Sequence, residues 1–381
     1  MCHRFLVTTA KGLEPLLADE LRNLGLEPSV EPSGTVCVEG DWHTAATILV
    51  RSRIPSRLVW SVGRLPARTP AMLYDQVRRI RWPELFSPEL AIAVDAKGAV
   101  ANDRFALSFA PLKIKDAICD EYRKFGLPRP DVDKQQPDVR VSAFFLNGRC
   151  ELSLDLAGEP LHRRGYRAAG AEAPLRENRA AALLQFLGYD GSRPFVDPFC
   201  GSGTLVIEAV LIARRMAPGL LAESEFALAR IRPEAVEALD AVRRAARAER
   251  LDAAPHPIRG SDLDPEALEV ARGNAAKSGV LDSVQFERAD ARELSAPDAF
   301  IACNPPYGER LASEEEAAQL LRDFADRLKH HAPGSDLALV VPRGVLEKSV
   351  GLRFEKRLAL ESGPLGLRFL RYALYRGSRK G

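Results

Sequence analysis

Apolar and polar positions divide the chain into two unlike halves. Phe5-Leu6-Val7-Thr8-Thr9 reads as a strand, and Leu13, Leu16, Leu17, Leu21 and Leu24 recur at helical spacing after Gly12. That stripe is a core-facing helix and not a secretory leader, because Glu14, Asp19 and Glu20 interrupt it and no small-residue cleavage site follows. Residues 139–145 and 150–156 alternate with period two around Asn147-Gly148, which predicts a β-hairpin. Beyond residue 190 the pattern changes to short apolar runs, several of them followed by helical stretches. Strands are expected at 194–197, 258–262, 284–291 and 299–303, at 337–342, and near 353–360 and 367–375; helices open at Leu205 and Glu266 and cover 314–328. Strands alternating with helices predict a parallel sheet. Residues 211–250, rich in Ala, Arg and Glu, read as helices, and the alternating charges of 227–250 predict a face turned to solvent or to RNA.

The predicted strand ends carry the chemistry. After the run ending at Cys303 comes Asn304-Pro305-Pro306-Tyr307. Two prolines fix φ and remove two backbone donors, so the loop holds its carbonyls free to accept from an amino group. Asn304 adds a side-chain acceptor and Tyr307 a flat face for a base. Upstream, Asp197-Pro198-Phe199-Cys200-Gly201-Ser202-Gly203-Thr204 runs from a strand through a glycine turn into a helix. Gly201 and Gly203 permit close backbone approach, and the helix N-terminus offers N–H groups to a carboxylate. Dinucleotide-binding folds share this shape, but their G-x-G-x-x-G fingerprint is not completed, since position 206 is Val. Asp262, followed by Leu263, would end the second strand and accept from ribose hydroxyls; Asp264 suits a helix cap. Asp290, followed by Ala291, would end the third and accept from an adenine amino group. Each signal alone is an ordinary turn, but four in register would line the carboxyl edge of one parallel sheet, where open α/β folds bind ligands.

The chain resembles the class I S-adenosylmethionine-dependent methyltransferases, and within them the 23S ribosomal RNA guanine-N2 methyltransferases. The resemblance rests on Leu161-His162-Arg163-Arg164-Gly165-Tyr166-Arg167, Ala173-Pro174-Leu175-Arg176-Glu177-Asn178, the glycine turn, and Asn304-Pro305-Pro306-Tyr307-Gly308-Glu309-Arg310-Leu311. Leu73-Tyr74-Asp75-Gln76-Val77, Ile80-Arg81-Trp82, Lys115-Asp116-Ala117-Ile118 and Arg129-Pro130 are similar to a THUMP module, which binds RNA. The resemblance implies an α/β chain: a C-terminal Rossmann-like seven-stranded methyltransferase domain over 174–381, a linker at 158–173, and an α+β region at 1–157 containing ferredoxin-like and THUMP parts. It implies S-adenosylmethionine as methyl donor. Pro174, Leu175, Asp197, Pro198, Cys200, Gly201, Ser202, Gly203, Thr204, Asp262, Leu263, Asp290, Ala291 and Asn304 would hold that donor. Asn304, Pro305, Pro306 and Tyr307 would hold the acceptor. Methyl transfer to guanine N2 in tRNA is the nearest alternative, and a non-catalytic RNA-binding protein a more distant one. Where the family is fused to a second enzyme forming 7-methylguanine, that activity would lie beyond Gly381; only the N2 activity is expected here.

Composition agrees. The 381 residues, 46% hydrophobic, suffice for two cores. Residues 51–149 hold 18 Arg and Lys against 11 Asp and Glu, 18 − 11 = +7, while the whole chain carries only +2. Such a basic region beside a nearly neutral one predicts a grip on RNA phosphates, with Lys113, Lys115, Arg123, Lys124 and Arg129 as candidate contacts. Six cysteines without a C-x-x-C pair give no zinc site and no disulfide framework, and Cys200 and Cys303 are expected to be packing residues. No apolar run is long enough to span a membrane. With no targeting signal, a cytoplasmic location is expected.

Overall fold

The computed structural model describes residues 2–31, 34–100, 105–167, 175–307, 313–361 and 366–375. The N-terminal half builds one seven-stranded sheet. Its strands are β1 (His3–Thr8), β2 (Pro28–Glu31), β3 (Thr35–Gly40), β4 (Arg57–Pro66), β5 (Ile92–Gly98), β6 (Val139–Leu146) and β7 (Arg149–Asp155), in the order β2-β3-β1-β4-β7-β6-β5. Ten-residue β4 pairs antiparallel with β1 on one side and β7 on the other, so it joins the two parts of this region. Helices α1 (Glu14–Asn23), α2 (Trp42–Arg51), α3 (Pro70–Val77) and α4 (Ala110–Lys124) accompany the sheet. The leucine stripe faces inward as expected: Leu13, Leu17 and Leu21 are fully buried. Asn147 and Gly148 both adopt positive φ, +50° and +70°, which matches the right-handed twist of the β6–β7 hairpin.

The second sheet has the order β10-β9-β8-β11-β12-β14-β13. Its elements are α5 (Glu177–Leu187), β8 (Phe195–Asp197), α6 (Thr204–Ala213), α7 (Ala227–Ile231), α8 (Val236–Ala248), β9 (Ile258–Asp262), α9 (Pro265–Lys277), β10 (Gln285–Arg288), β11 (Phe300–Cys303), α10 (Glu314–His331), β12 (Asp336–Pro342), α11 (Val345–Ser349), β13 (Lys356–Leu360) and β14 (Leu367–Ala373). Strands β10, β9, β8, β11 and β12 are parallel neighbours, and β14 runs antiparallel between β12 and β13. Chain order reverses between β8 and β11. That is the switch point at which ligands enter such sheets, and the glycine turn and the proline loop leave from its two strands.

The two sheets share one apolar core. It runs from Phe5, Leu17 and Leu49 through Leu161 and Tyr166 to Leu183, Val206 and Ile207. Polar groups bolt the seam. Arg53 donates to the Leu211 and Met216 carbonyls at 3.2 and 2.7 Å, Asn178 to Ile54 O at 3.1 Å, and Gln185 to Leu16 O at 2.7 Å. Arg51 forms a forked pair with Glu249 at 2.6 and 2.8 Å. Helix α8 turns Glu237, Arg244 and Arg247 to the surface, as the alternating charges led one to expect, and on its other side Leu239, Val242 and Ala246 form a buried stripe that accompanies its packing against α2. Arginines on its other positions mask that stripe in the sequence.

Candidate active site

Four strand ends meet at one edge, as their registers require. Asp197 lies opposite Gly260, Asp262 opposite Arg288, and Val196 opposite Ile301. The glycine turn is held on three sides. Cys200 N–H donates to Ser261 O at 2.9 Å, Gly201 N–H to Asp262 Oδ2 at 2.9 Å, and the buried Asn274 amide to Ser202 O at 2.9 Å. Gly203 has φ +81°, and a Cβ there would lie 3.0 Å from the Ala271 Cβ, so glycine is required both by conformation and by the packing of α9. Gly201 differs: a Cβ on it would meet nothing within 4 Å. Its open side, beside the first turn of α6, leaves room for an anionic ligand to approach unbonded N–H groups.

Asp262 anchors this turn. Oδ2 takes Gly201 N–H and Oδ1 takes Asp264 N–H at 3.0 Å, and a carboxylate with about four acceptor sites keeps capacity for hydroxyl donors. Asp264 caps α9 by accepting from Glu266 N–H at 2.9 Å. Leu263 is 54% exposed, an apolar side chain left at the strand end where a flat base could cover it. Ala291 is buried. Asp290 is clasped by Arg292, which donates from its backbone N–H at 2.9 Å and from Nε and Nη2 at 3.0 and 2.5 Å; these bonds hold its carboxyl below the usual range. An adenine amine would share that carboxylate with Arg292. Asp197 is fully buried, and loss of solvent, reinforced by the nearby Asp262, holds its carboxyl well above the usual range. It accepts from Phe199 N–H at 3.1 Å. Pro198 is buried, and Thr204 is 6% exposed.

The proline loop follows the end of β11. Pro305 is buried, Asn304, Pro306 and Tyr307 are half-buried, and Tyr307 packs against both apolar clusters of the molecule. Asn304 Oδ1 is buried and accepts no hydrogen bond among the described residues. No described donor reaches this acceptor, which leaves it available to an incoming N–H group. Burial raises both neighbouring thiols, Cys200 and Cys303, far from thiolate, which fits packing and not nucleophilic roles.

Residues 164–369 match the family model described as UPF0020, the RMKL-like methyltransferase domain. The chain belongs to this methyltransferase-domain family. Residues 67–155 match the THUMP domain and 4–59 the RlmL ferredoxin-like domain. A ribosomal RNA large subunit methyltransferase K/L of Syntrophotalea carbinolica is 38% identical across 97% of this chain and 53% of its own length. The chain thus spans about half the length of the curated relatives it matches. Among solved structures, a putative methyltransferase complexed with SAH superposes with a TM-score of 0.89 at 27% identity, covering 99% of both chains. A predicted N6-adenine-specific DNA methylase of Listeria monocytogenes gives 0.87 at 27% identity, over 99% of this chain and 97% of that one. The expected α/β class, a seven-stranded methyltransferase sheet behind a THUMP-containing region, is therefore the observed one.

Leu175 is buried, and its carbonyl accepts from Arg167 at 2.6 Å; the same guanidinium reaches Thr204 Oγ1 at 3.1 Å and pairs with Glu177 at 2.8 Å. Arg167 thereby ties the segment before α5 to the start of α6, a bolt the sequence reading missed. Pro174 and the Gly308-Glu309-Arg310-Leu311 segment lie outside the described residues, as does 168–173 of the expected linker. In the remaining linker, Leu161, Arg164 and Tyr166 are buried, with Tyr166 donating to Glu208 at 3.2 Å.

Of the five basic candidates, Lys113 and Arg129 are exposed and carry no partner among the described residues. Lys115 pairs with Asp116 at 2.7 Å, Arg123 with Asp120 at 2.9 Å and Lys124 with Glu121 at 3.1 Å. No helix among the described residues is long and apolar enough to cross a membrane.

Proposed function

We propose that this chain transfers a methyl group from S-adenosylmethionine to the exocyclic N2 of a guanine in 23S ribosomal RNA. One observation carries the reading: a buried Asn304 Oδ1, with no hydrogen-bond partner among the described residues, stands in a rigid diproline loop at the switch point of a methyltransferase sheet, beside a glycine turn with open space. The names of the relatives and the THUMP match support RNA as the substrate class. The division into an RNA-gripping region at 1–157, a connection at 158–173 and a catalytic region at 174–381 is part of the same proposal.

The donor fits the residues present. The first turn of α6 and Gly201 suit a carboxylate, Asp262 two ribose hydroxyls, Leu263 the face of a purine, and Leu175 and Thr204 the flank. When bound, it supplies an electrophilic methyl on sulfonium sulfur. The protein's task is then orientation. Guanine N2 is a poor nucleophile because its lone pair is delocalised into the ring. Asn304 Oδ1 and the Pro305 carbonyl would accept from N2–H and fix the direction of attack, while Tyr307 stacks the extruded base. Accepting these hydrogen bonds also steadies the positive charge that grows on nitrogen, and the proton can leave to solvent afterwards.

The test is transfer of labelled methyl groups into separated, unmodified 23S rRNA and tRNA. Label in 23S rRNA supports the proposal; label confined to tRNA moves the protein to the tRNA-modifying branch, and label in neither rejects the reading.

A further inference from the structure

The segment that joins the two halves runs along one face of α6. Arg164 lies 3.6 Å from Glu208 and the Tyr166 hydroxyl donates to it at 3.2 Å, while Arg167 reaches Thr204 one turn earlier. Thr204 is the first residue of α6 and directly follows the glycine turn. Arg167 is fixed there from three directions. Its Nη2 donates to Leu175 O at 2.6 Å and to Thr204 Oγ1 at 3.1 Å, and its Nε lies 2.8 Å from Oε1 of the buried Glu177. The direction of the Thr204 bond decides what the hydroxyl does. A guanidinium donates and has no acceptor, so the Thr204 oxygen accepts and its own hydrogen points elsewhere. The common outlet for a threonine hydroxyl beside a helix is the carbonyl four residues back. Here that is Cys200 O, which already accepts Gly203 N–H at 2.8 Å. The hydroxyl is thus a donor at the first turn of α6, at the end of the loop that holds Gly201 with its open side. A carboxylate is acceptor-only, and it is the one anionic group of S-adenosylmethionine.

We propose that Arg167 is a positioning residue for cofactor binding: it orders the Thr204 hydroxyl as a hydrogen-bond donor to the carboxylate of S-adenosylmethionine. This deepens the proposed function and rests on its placement of that carboxylate at the start of α6. Leu175 O and Glu177 hold the guanidinium, and Thr204 transmits its effect. A purely mechanical tie between the connecting segment and α6 would serve every part of the cofactor alike. An oriented hydroxyl serves the carboxylate alone, and that difference is measurable.

The test is calorimetric titration of the full chain, without RNA, with two ligands that differ at that end. S-adenosylhomocysteine carries the amino-acid carboxylate; 5′-methylthioadenosine keeps the nucleoside and the thioether and lacks it. The readout is the ratio of the two affinities. Thr204→Val and Arg167→Met should each lower that ratio about ten-fold, as for the loss of one hydrogen bond to a charged group, and Thr204→Ser should keep it. The double variant Arg167→Met, Thr204→Val should show the same ten-fold fall and not the roughly hundred-fold fall of independent effects. If Arg167→Met does not fold, Arg167→Gln, too short to span from Glu177 to Thr204, replaces it in the cycle, and Thr204→Val alone still decides whether the hydroxyl serves the carboxylate. A ratio unchanged in the Arg167 variants, with both affinities falling together, would make the contact a mechanical tie and overturn the proposal. An unchanged ratio in Thr204→Val, or additive losses in the double variant, would overturn it as well. A wild type that binds neither ligand would overturn the proposed cofactor site itself, and the role of Arg167 with it.

Discussion

The carboxyl edge of the C-terminal sheet and the basic face around α4 encode their functions in opposite ways. At the sheet edge each group has one position and few substitutes: Gly203 is fixed by packing, Asp262 by two backbone donors, and Asn304 by a diproline loop. On α4 and at Arg129 just beyond it, four of the five charges stand on exposed stems and Lys115 is half-buried; three of the five have an acid beside them. Pairs with at least one exposed member, such as Lys115–Asp116 and Arg123–Asp120, are worth about 0–1 kcal/mol, so no single one is expected to be indispensable. A site for chemistry is therefore brittle to single changes, whereas an electrostatic grip is graded.

The sharpest way to break this comparison is Asn304→Ala. Losing an oriented acceptor at the reacting nitrogen should lower kcat by about 10²–10³-fold while leaving the affinity for the methyl donor intact. Single-turnover methylation and calorimetric titration would separate the two effects, and unimpaired turnover would remove Asn304 from the mechanism. Asp262→Ala should act the other way round. It should weaken donor binding by about ten- to hundred-fold through lost hydrogen bonds and a loosened glycine turn. Gly201→Ala sharpens the distinction further: at φ +48° the strain costs about 1 kcal/mol of stability, but the methyl group would project into the open side and reduce donor affinity more than stability.

Asp197 gives a pH signature. Its folded carboxyl titrates above the unfolded value of about 3.9, so the native state holds a proton that the unfolded chain has released. The stability it contributes is complete below the unfolded pKa and is lost as pH rises through the folded one. Asp197→Asn should therefore melt increasingly higher than the wild type as pH rises above about 4, and a constant difference in Tm would contradict the assignment. At the small end, Lys113→Ala together with Arg129→Ala should reduce the salt slope of RNA binding by about 1–2. Alanine at Lys115, Arg123 or Lys124 singly should change affinity less than two-fold.

Legibility followed the same divide. The strand-end motifs could be read because the residues that make each one are adjacent in sequence. So could the β6–β7 hairpin, whose turn needs Asn147-Gly148, and the α9 cap at Asp264. What escaped depends on distant partners. Nothing near Arg167 announces that it joins Leu175 to Thr204, and nothing near Asn274 announces that it holds Ser202 O. The buried stripe of α8 was hidden among arginines, and the clasp of Arg292 on Asp290 was not anticipated. Strand β8 is only three residues long and is bracketed by Pro194 and Pro198, neither of which can donate to a sheet ladder.

The most direct measurement is nucleoside analysis after a single turnover on a 23S rRNA fragment whose target guanosine is either kept or replaced by inosine, which lacks the 2-amino group. The account predicts N2-methylguanosine with the first substrate and no transfer with the second. Transfer to the inosine-containing strand, or methyl on an adenine or a guanine ring nitrogen, would contradict it.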